Sequence, residues 1–395
     1  MRGRPPHEVA EIFHEYLSSL PAGIDVGWNG EQRAVADRIL ACRTARLGGH
    51  VDACDECGYT EVSYNSCRNR HCPKCQGSAQ AGWLEARQAD VLPVPYAHVV
   101  FTLPQALAPL ALQNPKVVYD LLLRTAAHTL QEIASDPRHL GARLGFFAIL
   151  HTWGQTLVHH PHVHCVVPAG GLAEDGCNWK PCRPGFFLPV RVLSRLFRGK
   201  FLAGLTQAFR DGRLELHGRL VPYRRPAAFS LLLREARGTE WVVYAKRPFG
   251  GPATVLKYLA RYTHRVAISN HRLQSMEDGS VAFRYKDYAR GRRPRSMRLG
   301  ATEFIRRFLL HALPKGFVRI RRYGLLANAQ CAQRLALCRE LLGGLKDRDP
   351  IEDPSTEITS YESEGYRCPS CERGIMRRLQ GPIPWAALRP RPPPR

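Results

Sequence analysis

A run of nine residues, His159-His160-Pro-His-Val-His-Cys-Val-Val167, constrains the fold more than any other feature of the chain. Its β-branched second half is typical of a strand, and residues two apart on a strand point to the same side. His162 and His164 therefore share one face, while the intervening apolar side chains face a core. Two imidazoles on one face of a buried strand form half of a site for a divalent metal ion. If oxygen ligands and water complete that site, Mg²⁺ or Mn²⁺ is the expected ion.

A third protein ligand is expected close to this histidine pair. Gln155 lies seven residues upstream of His162, and its amide carbonyl oxygen suits a hard metal ion. His160 and His151 compete for the same position. The alternative is a pair of solvated strand histidines that bind no metal. The Pro-Ala-Gly-Gly that follows the strand favours a functional site.

A second candidate element is the helix predicted from Pro252 to Val266, which has proline at its first position. Tyr258 and Tyr262 are four residues apart, so they share one helical face. Two flanking cations, Arg261 and Arg265, make that face a candidate DNA-binding surface. A phenol hydroxyl beside a metal-bound phosphate can attack phosphorus and form a 5′-phosphotyrosine bond. The alternative is that both rings pack at the edge of a core.

The chain has 13 cysteines, six of them in Cys-x-x-Cys pairs. Two pairs lie about 15 residues apart, and this spacing predicts one closed tetrathiolate zinc site with a structural role. Its predicted ligands are Cys54, Cys57, Cys72 and Cys75. Cys67 and His71 are surplus to one site: they are neighbours of the ligands, alternative ligands, or ligands of a second ion. Three cations between the ligands are expected to contact a phosphate backbone: Arg68, Arg70 and Lys74.

The chain is strongly basic, with 57 Lys and Arg against 34 Asp and Glu and a formal net charge of +23. Solubility needs far less charge, so a polyanionic partner is expected, and nucleic acid is the usual one. Residues 1–20 carry charges throughout and lack the apolar segment of a secretory signal peptide. Prolines interrupt the longest apolar stretch, 92–112, which argues against a membrane span. A cytoplasmic, nucleoid-associated protein with reduced thiols is therefore expected.

The order of predicted elements favours an α+β protein. An amino-terminal helical and zinc-binding domain is expected over residues 7–95, a catalytic domain over 96–325, and a carboxy-terminal helix, acidic linker and disordered Pro/Arg tail over 326–395. Cys368-x-x-Cys371 in the last segment is either half of another metal site or a simple turn. Strands are predicted at 96–103, 147–153, 163–167, 227–233 and 240–246.

Four motifs, in this order, resemble those of the transposases of the insertion sequence 91 family, which are rolling-circle members of the HUH endonuclease superfamily. The resemblance spans most of residues 7–330. The motifs are Cys67-Arg-Asn-Arg-His-Cys-Pro-Lys-Cys75, His160-Pro-His-Val-His164, Tyr258-x-x-x-Tyr262 and Leu313-Pro-Lys-Gly-Phe-Val-Arg-Ile-Arg-Arg-Tyr-Gly324.

This resemblance implies a central antiparallel sheet with the His-x-His strand in its middle and the tyrosine helix beside it. It implies metal-ligand roles for His162 and His164, and nucleophile roles for Tyr258 and Tyr262 as in the two-tyrosine branch of the superfamily. The implied substrates are single-stranded DNA at a transposon end and a target DNA. A plasmid relaxase or replication initiator would share this chemistry, but the zinc module and the lack of a P-loop favour a transposase. A non-catalytic DNA-binding zinc protein and a metal hydrolase are further hypotheses.

Overall fold

The computed structural model describes residues 5–20, 27–288, 290–327, 330–343 and 366–379. The predicted linker from 346 to 365 and the predicted tail from 389 to 395 lie outside these ranges. The helices are α1 Val9–Ser18, α2 Gly30–Ala41, α3 Gln76–Glu85, α4 Ala108–Gln113, α5 Pro115–Ser135, α6 Val190–Arg210, α7 Pro226–Gly238, α8 Pro252–Thr263, α9 Ala301–Leu309 and α10 Cys331–Gly343. The strands are β1 Gly49–Cys54, β2 Thr60–Tyr64, β3 Tyr96–Thr102, β4 Ala142–Arg143, β5 Gly145–Trp153, β6 His159–Pro168, β7 Gly170–Ala173, β8 Trp179–Pro181, β9 Val243–Phe249, β10 Leu273–Glu277, β11 Ser280–Asp287, β12 Arg293–Gly300, β13 Ile320–Gly324 and β14 Met376–Arg378.

A five-stranded antiparallel sheet of order β13-β5-β6-β3-β9 forms the centre of the molecule. The histidine strand β6 is its middle strand, paired on one side with β5 and on the other with β3. Strands β5 and β6 are buried along most of their length, as their β-branched and aromatic composition predicts. The predicted α+β class with a central antiparallel sheet is therefore confirmed.

The two faces of this sheet pack against different helices. On one face Val163, Cys165 and Val167 of β6 join a large core with side chains of α5 and α6, as the alternation along β6 predicts. On the other face Val166 packs with side chains of α8 and α10. Each fully buried aliphatic or aromatic side chain contributes roughly 1.5–3 kcal/mol, so β6 is held firmly from both sides.

A separate core joins the amino-terminal helices to a later part of the chain. Side chains of α1 and α2 pack with α9 and with the three-stranded sheet β10-β11-β12. At the other end, β14 pairs antiparallel with β1. The predicted segments 7–95, 96–325 and 326–395 thus share cores and strand pairs, and their boundaries stay a prediction.

The strand predicted at 227–233 is wrong, because α7 occupies this segment. Pro226 lies at the start of the helix, and Phe229, Leu232 and Ala236 are buried at helical spacing. A short apolar run such as Phe-Ser-Leu-Leu-Leu fits a strand or a helix equally well by local pattern. Packing of this face onto the core of α5 and α6 decides for the helix.

None of the helices in the described ranges combines the length and apolarity that crossing a membrane requires.

Gly324→Ala is expected to destabilise the sheet. Gly324 ends β13 with φ at +61°, and a Cβ there would collide with the carbonyl oxygen of Leu144. The free energy of unfolding, measured by urea denaturation, should fall by roughly 1–3 kcal/mol or more. In Gly199→Ala, the matched control within α6, the new Cβ meets no atom within 4 Å, and a gain of up to about 1 kcal/mol is expected. Equal stability of the two variants would contradict the assigned strain.

Candidate active site and metal centres

Four histidines from three neighbouring strands lie on one face of the central sheet. In the β5–β6 pair His151 is directly opposite His162, and in the β3–β6 pair Val100 is opposite His164. Residues that are opposite one another, or two apart on a strand, share a face. His98, two residues before Val100, therefore joins the other three imidazoles.

Three of these imidazoles can reach one ion, because single nitrogen atoms of His151, His162 and His164 all lie within 4.8 Å of one another. His151 donates from Nε2–H to the carbonyl oxygen of Tyr262 at 2.8 Å, which leaves Nδ1 for ligation. His162 donates from Nδ1–H to the carbonyl oxygen of His160 at 2.7 Å, which leaves Nε2. Such hydrogen bonds fix the tautomer and the orientation of a metal-binding histidine.

His164 provides the observation that tests whether a metal ion fits here. Its Nδ1 lies 2.8 Å from Nε2 of His98. Its Nε2 is buried and has no hydrogen-bond partner in the described part of the chain. A buried nitrogen without a partner is costly, and a metal ion would supply the partner. The residues present therefore fit a divalent ion.

Burial keeps these imidazoles uncharged. It lowers the pKa of His162 to about 4, and it holds the pKa values of His151 and His164 well below the usual 6.5. The nearby charge of Arg265 lowers all three pKa values further. At neutral pH each ring therefore keeps the nitrogen lone pair that metal ligation requires.

His151, not Gln155, is the third residue that the structure brings to His162 and His164. The side-chain oxygen of Gln155 accepts a hydrogen bond from the backbone N–H of Lys286 at 3.4 Å, so it is directed toward β11. Gln155 lies in the turn after β5, whereas His151 lies within β5, opposite His162. The other competitor, His160, contributes its carbonyl oxygen to His162.

The ligand set is rich in nitrogen. No carboxylate joins the three imidazoles within the ranges that the structure describes. Mg²⁺ prefers oxygen ligands and retains water, whereas Mn²⁺ stands among the transition ions whose affinity for nitrogen sites rises along the Irving–Williams series. Of the two ions that the sequence predicts, Mn²⁺ is the better match.

Helix α8 places its two tyrosines against this histidine face. Tyr258 Oη lies 2.8 Å from Nδ1 of His98, and Tyr262 donates its hydroxyl to Tyr258 Oη at 3.3 Å. The ring centroids of Tyr262 and His164 are 4.5 Å apart. Both phenols are half-buried, and they lie against the imidazoles.

Hydrogen bonds from a buried cation hold the carboxyl end of α8. Arg319 donates to the carbonyl oxygens of Thr263 at 2.9 Å and Arg265 at 3.2 Å. A cation here satisfies the last carbonyl groups and opposes the negative end of the helix dipole. Burial lowers the pKa of Arg319 to about 10, so the guanidinium remains charged at neutral pH. At the amino end, Pro252 occupies the first turn as predicted.

Two cations lie close to the tyrosines and histidines. Arg265, which the sequence predicts to bind DNA, is near enough to depress the pKa values of the three clustered imidazoles. Lys246 on β9 has its ammonium nitrogen 5.5 Å from the centroid of the Tyr258 ring. Strand β9 is an edge strand of the central sheet, so Lys246 lies at the border of the site.

The other predicted DNA-binding cations differ in their surroundings. Lys74 forms an ion pair with Glu8 at 2.5 Å, and Arg70 donates to a backbone carbonyl oxygen, so both stabilise packing between segments. Arg68 is exposed. The side chain of Arg261 lies outside what the structure describes.

The cysteines form two clusters, so the prediction of one zinc site from both amino-terminal Cys-x-x-Cys pairs is wrong. The hairpin of β1 and β2 separates the two pairs. Cys54 and Cys57 lie at its tip, and the chain returns along β2 to the base of the hairpin before it reaches Cys72 and Cys75. A six-residue strand such as β1 spans roughly 17 Å, too far for a shared ion. The first cluster is Cys42, Cys67, Cys72 and Cys75, and the second is Cys54, Cys57, Cys368 and Cys371.

The first cluster has the dimensions of a zinc tetrathiolate. Sγ of Cys75 lies 3.5 Å from Sγ of Cys42 and 3.6 Å from Sγ of Cys67. A tetrahedron with Zn–S bonds of about 2.3 Å has edges of about 3.8 Å. Cys67 thus belongs to the set of four, whereas His71 does not: its Nε2 accepts a hydrogen bond from the backbone N–H of Leu313 at 3.3 Å.

Cys42 and His98 are the residues that sequence reasoning missed. Cys42 has no Cys-x-x-Cys partner and lies 25 residues before Cys67, so no local spacing marks it. His98 lies within a strand that the sequence predicts, and an imidazole inside such an apolar strand is a signal that could mark it as a site residue. The register of that strand against β6, which alone reveals its neighbour His164, has no local signature.

Two family models match the chain. One described as "Putative transposase" covers residues 145–334, and one described as "Transposase zinc-binding domain" covers residues 11–103. The chain is 54% identical to the putative transposase y4qJ of Sinorhizobium fredii (strain NBRC 101917 / NGR234), over 94% of this chain and 95% of that protein. It is 32% identical to the transposase for insertion sequence element IS801 of Pseudomonas savastanoi pv. phaseolicola, over 77% of this chain and 72% of that protein. No solved structure matches it.

A transposase with a zinc-binding domain is the class that these matches define. The chain belongs to the insertion sequence 91 family of transposases. Structural zinc in the amino-terminal part follows from the matched zinc-binding domain together with the cysteine clusters. Cys368 and Cys371 lie beyond both matched ranges.

His151→Ala should weaken binding of Mn²⁺ to the zinc-loaded full chain by more than about tenfold, because a ligand loss costs at least as much as loss of a group that orients a ligand. Electron paramagnetic resonance of free Mn²⁺ during a titration measures the affinity. Gln155→Ala, the matched control, should change it less than twofold. The reverse order of effects would restore Gln155 as the third ligand.

Proposed function

We propose that this transposase cuts and rejoins single-stranded DNA through a 5′-phosphotyrosine intermediate, with Tyr258 as the first nucleophile. One observation carries the proposal: a hydrogen-bonded path leads from His164, beside the candidate metal position, through His98 to Tyr258 Oη. The proposed substrates are a transposon end and a target DNA.

His151, His162 and His164 would hold a divalent ion through one nitrogen each. When bound there, the ion would withdraw charge from the scissile phosphate and stabilise the oxygen that leaves it. The chain's own cations would position the DNA backbone, and Arg265 and Lys246 at the border of the site are the proposed phosphate contacts.

The hydrogen-bond path determines which hydroxyl is activated. With Nε2 of His164 kept for ligation, its proton lies on Nδ1 and is donated to Nε2 of His98. A neutral His98 then carries its own proton on Nδ1 and donates it to Tyr258 Oη. Tyr258 Oη also accepts the hydrogen bond from Tyr262. Two donors directed at one oxygen favour negative charge on it, which makes Tyr258 the better nucleophile.

The cutting step is an exchange of one phosphoester for another. Tyr258 Oη forms a bond to phosphorus while the bond from phosphorus to the 3′ oxygen breaks. The proton lost by the phenol is balanced by the proton gained by the 3′ oxygen, which leaves as a hydroxyl. Since the new bond is also a phosphodiester, a 3′ hydroxyl of another strand can reverse the step without ATP. Tyr262, 3.3 Å away, is placed to take a second strand.

Tyr258→Phe should lower the initial rate of covalent adduct formation by more than about a thousandfold, as expected for loss of a nucleophile. The assay uses the full chain, Mn²⁺ and a labelled single strand carrying the element's end, and mass spectrometry maps the adduct. Tyr262→Phe removes one hydrogen bond of roughly 1.4 kcal/mol and should cost about tenfold. Tyr244→Phe, which alters an exposed tyrosine on β9, should have no effect.

Native levels of adduct in a Tyr258→Phe, Tyr262→Phe double variant would refute the nucleophile assignment. Cleavage by the native chain with no adduct at any time would indicate a metal hydrolase instead.

His98 is proposed as a positioning residue, and two substitutions separate its two hydrogen bonds. His98→Asn keeps an N–H near the position of Nδ1, so adduct formation at Tyr258 should stay within about tenfold of the native rate. His98→Gln keeps an N–H near the position of Nε2 instead, so most adduct formation at Tyr258 should be lost. The fraction of adduct on Tyr258 relative to Tyr262 is the decisive readout, because a merely structural role would lower both alike. Mn²⁺ affinity serves as the control for an intact histidine cluster.

A further inference from the structure

The second cysteine cluster lies at the tip of the β1–β2 hairpin. Cys54 and Cys57 come from the hairpin, and Cys368, which is 311 residues beyond Cys57, comes from the segment 366–379 together with Cys371. Sγ of Cys54 lies 3.7 Å from Sγ of Cys371, and Sγ of Cys57 lies 3.7 Å from Sγ of Cys368. Two distant parts of the chain thus supply two thiols each.

These distances match an ion held by four thiolates and do not match disulfides. A disulfide needs about 2.05 Å between sulfur atoms. The edge of a tetrahedron with Zn–S bonds of about 2.3 Å is about 3.8 Å, close to the observed 3.7 Å.

Backbone N–H groups are arranged around the sulfur atoms in the same way in both halves of the cluster. The N–H of Cys57 points to Sγ of Cys54 at 3.5 Å, and the N–H of Gly374 points to Sγ of Cys371 at 3.4 Å. The N–H of Ser370 likewise points to Sγ of Cys368 at 3.4 Å. Donors directed at sulfur stabilise the thiolate, which is the form that binds metal.

Gly374 reveals how closely the late segment approaches the hairpin. A Cβ at this position would collide with Sγ of Cys54 and would lie 2.8 Å from the Cβ of Glu56. Glycine is therefore the residue type that allows this backbone to lie against the sulfur atoms. The four sulfur atoms can therefore come together only if the backbone at residue 374 lies against Cys54.

Apart from the cysteines and its pairing with β1, the segment 366–379 buries little apolar surface. Its strand β14 has three residues, and Met376 is the buried apolar side chain that it adds beyond the cysteines. The ion pair of Arg377 with Asp55 is largely exposed, and exposed pairs contribute little. Such small units usually need a metal ion or a disulfide for stability.

We propose that the four thiolates of the second cluster bind a zinc ion of their own. The chain then carries two structural zinc ions, and the second one fastens the segment 366–379 to the amino-terminal hairpin. This assignment does not depend on the proposed DNA chemistry.

Metal analysis of the purified full chain tests the proposal by counting zinc. The native chain should contain two zinc ions. The Cys368→Ser, Cys371→Ser double variant should contain one. The matched control, Cys177→Ser with Cys331→Ser, changes two cysteines outside the clusters and should keep two zinc ions. One zinc ion in the native chain, two in the Cys368/Cys371 variant, or iron in place of the second zinc would overturn the proposal.

The Cys368→Ser, Cys371→Ser double variant could misfold, and rapid hydrogen–deuterium exchange throughout β5 would reveal this. A second experiment then tests the proposal by exchange. Gly374→Ala retains all four thiols but should displace the segment from Cys54. Peptides covering 366–379 should then exchange at least tenfold faster, while β5 peptides exchange as in the native chain. A chelator that removes zinc from the native chain should also speed exchange in 366–379, together with exchange around the first cysteine cluster. Unchanged exchange in 366–379 after both treatments would refute the zinc-held attachment.

Discussion

The antiparallel register of β3, β5 and β6 is the constraint on which the candidate active site depends. It sets His151 opposite His162 and places His98 beside His164. A shift of β6 by one residue would turn its histidines into the core of α5 and α6 and turn Val163 and Val167 toward α8. Because apolar side chains pack on both faces of β6, such a shift is strongly opposed. The hydrophobic core therefore specifies the geometry of the polar site.

Burial keeps the clustered histidines of this site uncharged, although the chain as a whole is strongly basic. The chain has a net charge of +23, yet its clustered imidazoles are uncharged at neutral pH because desolvation disfavours their protonated forms. The overall positive field would attract a polyanion from a distance. Close to the tyrosines, fixed charge comes from Arg265 and Lys246. On the proposed function, the chain as a whole would attract DNA from a distance, and these two residues would contact its phosphates locally.

Sequence reasoning succeeded where the pattern is local. Strand β6, strand β3 and helix α8 lie close to their predicted ranges, because alternation, helical spacing and Pro252 each leave a signal within a few residues. It failed for α7, where a short apolar run is compatible with either structure until its burial is known. The sequence favours Gln155 as the third metal ligand, whereas the structure places His151 opposite His162, and proximity in sequence says little about such register. The grouping of the cysteines depends on Cys42, which has no local partner, in the first cluster, and on cysteines about 300 residues away in the second.

The two cysteine clusters can be completed at different times during synthesis of the chain. The first cysteine cluster is complete once residue 75 has emerged, but Cys57 must wait for a partner 311 positions later. At synthesis rates of roughly 5–20 residues per second, that wait is about 15–60 seconds. Until then, Cys54 and Cys57 would lack the two thiols of the late segment and would be open to oxidants and to foreign metals. On the proposed assignment, the second cluster can therefore form only after synthesis has passed Cys371.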